Sequence, residues 1–307
     1  MSAPLMEVRE LSKVYRPSGL WSRSRVNAVR DLSLTVEPAQ IVALVGESGS
    51  GKTTAGRMLA RLVRPTSGAV DFEGRPAGQH PDPAVQMIFQ DVFGSLNPAH
   101  PVGHHLRRAI VRSPHSGDVQ QTVYDLLGSV GLRPAERFAK KYSHELSGGQ
   151  RQRVGIARAL APQPRLVIAD EPVSMLDMSV RVDILNLLAG LRDQRGVALL
   201  YITHDLVSAR YLADRITVMF SGYGVESAPA TALLDEPLHP YTRLLLASVP
   251  GSHTTITGPA ASQQAPTSEG CPFAARCPLA MAKCVTGMPP VTTLPGDRWV
   301  RCHAVTP

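Results

Sequence analysis

The chain reads as an α/β protein with a mainly parallel core sheet, and three observations predict it. The uninterrupted apolar run Ile41-Val42-Ala43-Leu44-Val45 has the composition of a strand buried on both faces. The runs Leu166-Val167-Ile168-Ala169 and Ala198-Leu199-Leu200-Tyr201-Ile202 repeat that character, and each is followed by a segment of helical periodicity. Strand–helix alternation builds parallel sheets, because parallel neighbours need a crossover long enough to hold a helix.

In chain order, residues 5–45 read as short strands, with partial alternation over 28–36 before the buried run. Gly46-Glu47-Ser48-Gly49-Ser50-Gly51-Lys52-Thr53-Thr54 follows at once and fits G-x-x-x-x-G-K-[ST]. Residues 52–62 read as a helix ended ahead of Pro65. Two more strands are expected within 68–90, the second ending Val85-Gln86-Met87-Ile88-Phe89-Gln90. From Asp91 the character changes. Helical periodicity over 119–130, punctuated by Gly and Pro, indicates an inserted helical subdomain at about 91–160. Its last helix, 148–160, has Ser147 as N-cap. Helices over 179–191 and 205–213 flank the last buried strand. Beyond Pro250 the composition turns to Gly, Ser, Thr, Pro and Gln, which reads as a linker over 251–270 between a domain of residues 1–250 and an extension of 271–307.

The chain has 307 residues, 43% of them hydrophobic, enough for a sizeable core. No stretch approaches 18 uninterrupted apolar residues, and the N-terminus lacks the basic-then-apolar order of a secretory signal. The protein is therefore expected in the cytosol, with other chains carrying any membrane spans. Net charge is +7, yet the aromatic fraction of 5% leaves little to stack bases, so no nucleic-acid partner is expected. The basic stretch from Arg133 to Arg165 reads as a solvated face beside a polyphosphate site.

The glycine-rich run carries the clearest chemistry. Gly46, Gly49 and Gly51 let the backbone approach phosphates, Lys52 reaches the outer two, and the Thr53 hydroxyl can sit on Mg²⁺. Asp170 closes an apolar strand where a carboxylate for Mg²⁺ is needed, and Glu171 beside it can deprotonate an attacking water. Leu146-Ser147-Gly148-Gly149-Gln150 opens a second helix with small residues, again an anion site. One nucleotide does not need both sites, so this run is assigned to the nucleotide of a partner chain.

Together these runs resemble the ATPase subunit of an ABC transporter, across residues 5–250. The resemblance implies an ABC-type P-loop fold with an antiparallel β subdomain and an inserted helical subdomain. It implies ATP and Mg²⁺ at Gly46 to Thr54, with Tyr15 stacking on adenine. It gives Gln90 a place on Mg²⁺ beside Thr53 and Asp170, and His204 a place at the γ-phosphate next to Glu171. Ser174-Met175-Leu176-Asp177 matches the loop that crosses the interface of two such subunits.

Phe89-Gln90-Asp91-Val92-Phe93-Gly94-Ser95-Leu96-Asn97-Pro98 and His239-Pro240-Tyr241-Thr242-Arg243-Leu244-Leu245 are similar to the peptide/nickel importer branch, and the Gly94 to Pro98 form to its F type. The implied partners are a second ATPase subunit (self or paralogue), two transmembrane permease subunits and, indirectly, an extracytoplasmic binding protein, with the chain at the cytoplasmic face of the membrane. Dipeptides, oligopeptides, glutathione-like compounds and nickel chelates remain open as cargo. A soluble ATPase of ribosome or DNA is the alternative of another class.

One departure, Phe220-Ser221-Gly222-Tyr223-Gly224-Val225, is read as lying away from the nucleotide. The tail places Cys271, Cys277, Cys284 and Cys302 at C-x5-C-x6-C-x17-C, and the resemblance implies a [4Fe–4S] cluster there, with Zn²⁺ or unligated thiols as alternatives. No motif links this tail to the phosphate loop, so it is expected to be structural or redox-sensing.

Overall fold

The computed structural model describes residues 3–16, 25–91, 94, 96–112, 117–248 and 269–306. In chain order come strands β1 (Met6–Tyr15), β2 (Val26–Val36) and β3 (Ile41–Val45), helix α1 (Lys52–Leu59), and strands β4 (Ser67–Phe72), β5 (Arg75–Pro76) and β6 (Val85–Ile88). Among the described residues the α-helices α2 (Val102–Val111), α3 (Val119–Ser129), α4 (Ala135–Lys140) and α5 (Gly148–Leu160) follow. Then come β7 (Leu166–Asp170), α6 (Met178–Arg195), β8 (Ala198–Thr203), α7 (Leu206–Leu212), β9 (Arg215–Phe220), β10 (Tyr223–Pro229), α8 (Ala230–Asp235) and α9 (Pro240–Ala247). The last are α10 (Ala282–Thr286), β11 (Thr292–Leu294) and β12 (Arg298–Val300).

Two sheets result. The smaller is antiparallel, in the order β2-β1-β4-β5. The larger runs β11-β12-β10-β9-β3-β8-β7-β6; its stretch from β9 to β6 is parallel and the remainder antiparallel. Every residue of β3, β7 and β8 is buried, as their unbroken apolar runs require. Val45 pairs with Thr203, and Asp170 with Ile202, so β3, β7 and β8 end side by side. Whatever follows those strands shares one rim of the sheet, the usual place for a ligand in such folds.

Some boundaries differ from expectation. Helix α1 stops at Leu59, short of the expected residue 62, because Arg61 adopts a left-handed φ of 57°. Helices α2 and α4 add to those expected. In α2 the buried Val102, Leu106 and Ile110 are separated by His104, His105, Arg107 and Arg108, which mask the apolar stripe. Helix α5 begins as expected. The Ser147 side chain accepts from the Gln150 backbone N–H at 3.3 Å, and the Gln150 side-chain Oε1 accepts from the Ser147 backbone N–H at 3.2 Å. The linker expected over 251–270 lies almost wholly outside the described residues.

The C-terminal extension continues the main sheet. Residue pairs Glu226–Val300 and Ser227–Trp299 join β10 to β12. Cys271, Phe273 and Cys284 belong to the same buried cluster as residues of β3 and β8. Arg301 pairs with Asp31 at 2.9 Å, Arg298 with Glu236 at 3.1 Å, and Arg215 with Asp297.

A hydrogen-bonded mount lies between sheet and extension. The fully buried Glu226 carboxylate accepts the N–H groups of Leu238 and His239, each at 2.9 Å. His239 caps α9 by accepting the Tyr241 N–H on Nδ1 at 3.0 Å, with Pro240 as the first helical residue. The Tyr241 ring is buried 4.5 Å from Phe220 and 5.5 Å from Phe273, centroid to centroid. Burial pushes the His239 imidazole from 6.5 down to about 4.

The folded state keeps His239 neutral while the unfolded chain protonates it, so its contribution is complete above pH 6.5 and lost as pH falls toward 4. The buried Glu226 carboxyl, raised by desolvation, acts in the opposite sense. Comparison with His239→Asn isolates the imidazole. From pH 6.5 to 4 the wild type should lose on the order of 2–3 kcal/mol relative to the variant in urea titrations. Parallel curves would exclude His239 as the source.

Candidate nucleotide site

The loop after β3 is shaped by close backbone contact. A Cβ at Gly46 would lie 2.1 Å from the Met219 carbonyl oxygen, and one at Gly51, where φ is +101°, 2.1 Å from that of Ala28. Gly51 precedes α1 without a side-chain cap, leaving the first N–H groups of that helix to face an anion. Lys52 is 5% exposed. Its Nζ donates to the carbonyl oxygens of Gly46 at 2.7 Å and Glu47 at 2.8 Å, with Ser50 Oγ at 3.4 Å. Burial pushes this ammonium down, while Glu171, Asp170 and Glu47 pull it back up.

The two carboxylates differ in surroundings. Asp170 is buried at the end of β7 and accepts from Thr53 Oγ1 at 3.1 Å; desolvation raises its pKa and that hydrogen bond opposes the rise. Glu171 has a left-handed φ of 45°. Gln90 Nε2 donates to its Oε2 at 3.2 Å, and His204 Nδ1 lies 3.1 Å from its Oε1. Gln90 follows β6 and His204 follows β8, so the strand ends flanking β7 orient the Glu171 side chain from both sides. Gln90, Glu171 and His204 line a cleft of about 900 Å³, together with Glu47, Ser48, Gly49, Gly51, Lys52, Thr53 and Thr54. Thr53 and Asp170 offer two oxygen ligands, which fits Mg²⁺, an ion that keeps its other positions for phosphate oxygens and water.

Other expected residues are not in the cleft. Tyr15 does not line it; the Lys13 ammonium sits 5.2 Å from its ring centroid. Its pairing partner Val26 does line the cleft, as do Arg25, Asn27 and Arg30, which sequence reasoning missed. Ser147, Gly148, Gly149, Gln150 and Asp177 also lie outside. The reading of Phe220 to Val225 is corrected. Ser221 and Gly222, at φ 48° and 89°, form the tight β9–β10 turn and line the cleft. The Gly222 N–H donates to the Ser50 carbonyl at 3.0 Å. The paired positive φ angles demanded by a two-residue hairpin were the available signal.

The sequence profile of the "ABC transporter" family matches residues 29–174, and that of the "oligopeptide/dipeptide transporter, C-terminal region" matches residues 225–284. The chain is 41% identical to a probable peptide ABC transporter ATP-binding protein of Sinorhizobium fredii, over 100% of this chain and 92% of that one. It is 39% identical to the oligopeptide transport ATP-binding protein AppF of Bacillus subtilis, over 97% of each. The chain belongs to the ATP-binding subunits of peptide-type ABC transporters. Among solved structures, the dimeric ATP-binding cassette MJ0796 bound to ADP and Pi superposes with a TM-score of 0.65 at 26% identity, over 73% of this chain and 98% of that one.

The iron–sulfur expectation is overturned, and zinc with it. Among the described residues no group of three or more His, Cys, Asp or Glu side chains is placed to hold a metal ion. Cys271 and Cys284 are buried in the apolar core, where the Cys271 N–H donates to the Cys284 carbonyl at 2.8 Å. Desolvation pushes the Cys271 thiol up to about 11 and raises Cys277 and Cys302. His303, next to Cys302, has its Nε2 3.2 Å from the Gly287 carbonyl. The four thiols are free cysteines, two of them core residues.

The loop geometry ranks two substitutions. Gly46→Ala forces its methyl into the Met219 backbone and should abolish nucleotide binding or folding. Gly49→Ala, at φ +80° with nothing within 4 Å of its Cβ, should cost only about 1–2 kcal/mol of backbone strain. Thermal melts and MgATP titration of both variants would reverse the assignment if Gly49→Ala were the more damaging.

Proposed function

We propose that the chain hydrolyses ATP to drive peptide uptake through a membrane ABC transporter, as one of two ATPase subunits at the cytoplasmic face of the membrane. The observation that carries the catalytic reading is Glu171, held over the cleft between Gln90 and His204 at 3.2 and 3.1 Å. In this role Glu171 accepts a proton from the water that attacks the γ-phosphate. His204 and Gln90 fix its two oxygens, and His204 reaches the γ-phosphate as it does so. Lys52 exchanges the carbonyls of Gly46 and Glu47 for the outer phosphates, where its charge counters the developing anion. Thr53 and Asp170, with Gln90 beside them, would hold Mg²⁺, which would supply neutralisation of phosphate charge.

The exposed start of α5 supports the two-subunit reading. Ser147 to Gln150 sit away from this chain's own cleft, with an anion-seeking helix N-terminus open to solvent, and would close on the partner's ATP. Asp177 and the loop before it would lie at the same junction. A second cleft of about 580 Å³, between the Phe89 side of the sheet and α2 with its Arg108 and Arg112, adjoins Gln90; we assign this face to the permease subunits. Among the described residues no helix is long and apolar enough to cross a membrane, so other chains would supply the channel. The peptide assignment rests on the likeness to peptide and oligopeptide transport ATP-binding proteins; an extracytoplasmic binding protein would select the cargo. The unit that hydrolyses ATP comprises residues 1–250, with 91–160 as its helical insertion and 271–307 as its extension.

Glu171→Gln should leave MgATP affinity within about twofold of wild type and slow hydrolysis by about 10²-fold or more. Single-turnover hydrolysis near the wild-type rate would remove Glu171 from the proton-transfer role.

Ser147→Arg should leave ATP binding by the isolated chain unchanged and abolish turnover in the assembled transporter, since the cation would occupy the partner's γ-phosphate position. Loss of binding by the isolated chain, with turnover preserved on assembly, would refute the shared site.

A further inference from the structure

Glu47 is an acidic residue in a loop that receives polyphosphate. It lines the cleft, and its charge would repel the ligand. The structure holds this one residue in three ways. Its carbonyl accepts from Lys52 Nζ at 2.8 Å. Its N–H donates to the Tyr241 hydroxyl at 2.9 Å. Its carboxylate is forked by the Arg276 guanidinium from the C-terminal extension, with Nη1 at 3.3 Å from Oε2 and Nη2 at 3.1 Å from Oε1.

Arg276 is not a loose surface cation. Its guanidinium carbon lies 5.7 Å from the Phe220 ring centroid and 5.6 Å from that of Phe273, both buried rings. Phe273 in turn packs on Tyr241 at 5.5 Å. The rings therefore fix where the fork points, and a planar fork on a carboxylate tolerates little misplacement. The ion pair itself is partly solvated, with side chains 32% and 42% exposed. Its direct contribution to folding is small for that reason. Its effect on a charged ligand arriving in the cleft is larger, because it decides whether Glu47 meets the phosphates as a bare or an offset negative charge.

We propose that the C-terminal extension is part of the nucleotide site, with Arg276 as a positioning residue that neutralises and orients Glu47 for phosphate binding. The extension thereby couples its own docking to nucleotide affinity. The proposal rests on the nucleotide reading of the loop and is independent of the transported cargo.

The test is MgADP titration of the full-length chain as wild type, Arg276→Ala, Glu47→Gln and the double variant. Arg298→Ala, which removes a different ion pair of the extension, with Glu236, serves as control. Arg276→Ala should raise Kd about three- to tenfold, at the lower end of the range for uncoupling neighbours in one network. Adding Glu47→Gln should return Kd to within about twofold of Glu47→Gln alone, because the charge to be offset is gone. The Arg276→Ala defect should shrink at high salt, and Arg298→Ala should bind as wild type.

A purely structural Arg276 would produce the same loss whether Glu47 is intact or replaced by glutamine, and that additive result would overturn the proposal. So would unchanged affinity in Arg276→Ala. If Arg276→Ala does not fold, Arg276→Gln and Arg276→Lys carry the same comparison, with the lysine variant expected to retain more affinity than the glutamine variant. Failure of the wild type itself to bind MgADP would sink the nucleotide reading instead.

Discussion

The nucleotide site is organised by one constraint: the Lys52 ammonium is buried, and a buried cation must be met by oxygen atoms. The loop turns its own carbonyls inward to do this, from Gly46 and Glu47. Backbone can curl that tightly only where side chains are absent, which is why Gly46 lies against the Met219 carbonyl and Gly51 against that of Ala28. Those carbonyls compensate the charge, and phosphate oxygens are better partners for it. The loop is thereby pre-formed for an anion, and binding exchanges one set of oxygens for another without exposing the charge to an unpaired state.

The parallel sheet converts this loop into a reactive cleft. Because β3, β8, β7 and β6 are neighbours in register, Gly46, His204, Asp170 with Glu171, and Gln90 all leave the sheet at one rim. The backbone at Glu171 is bent into a left-handed φ of 45°, an arrangement costing about 1–3 kcal/mol. Its N–H is tied to the Ile202 carbonyl at 2.9 Å, and its side chain is tied on both oxygens. A residue anchored at its backbone and at both carboxylate oxygens loses little freedom when a water must be aligned with it.

Much of this was legible because it is local. The buried strands β3, β7 and β8 are continuous apolar runs, and α5 announces itself by the Ser147–Gln150 capping box. Lys52, Thr53, Asp170, Glu171, Gln90 and His204 stand out in short runs or by resemblance, and five of the six line the cleft while Asp170 sits behind Thr53. What failed to show depends on tertiary contact. Arg25 and Arg30 reach the cleft only because β2 folds over the loop, and the Ser221–Gly222 turn only because β9 abuts β3. The cysteine spacing misled for a related reason. Spacing along the chain does not by itself make a metal site: Cys271 and Cys284 are spent on the apolar core, and among the described residues no group of side chains is placed to hold a metal ion.

The segment His239-Pro240-Tyr241 gains a mechanical meaning from the same contacts. Glu226 holds the backbone ahead of α9, His239 caps the helix, and Pro240 starts it with no N–H to satisfy. These devices fix the direction of α9 and so the position of the Tyr241 hydroxyl, which meets the phosphate loop at Glu47. Tyr241 is fully buried, and burial pushes its phenol far up, so the hydroxyl stays neutral and able to accept that N–H at any physiological pH. Phe273 covers the ring from the extension, and fully burying such a side chain is worth about 1.5–3 kcal/mol. The extension, the capped helix and the loop therefore form a single packed unit. An extension that merely followed the ATPase core in sequence would have no reason to place an aromatic ring on Tyr241 and a guanidinium on Glu47 at the same time.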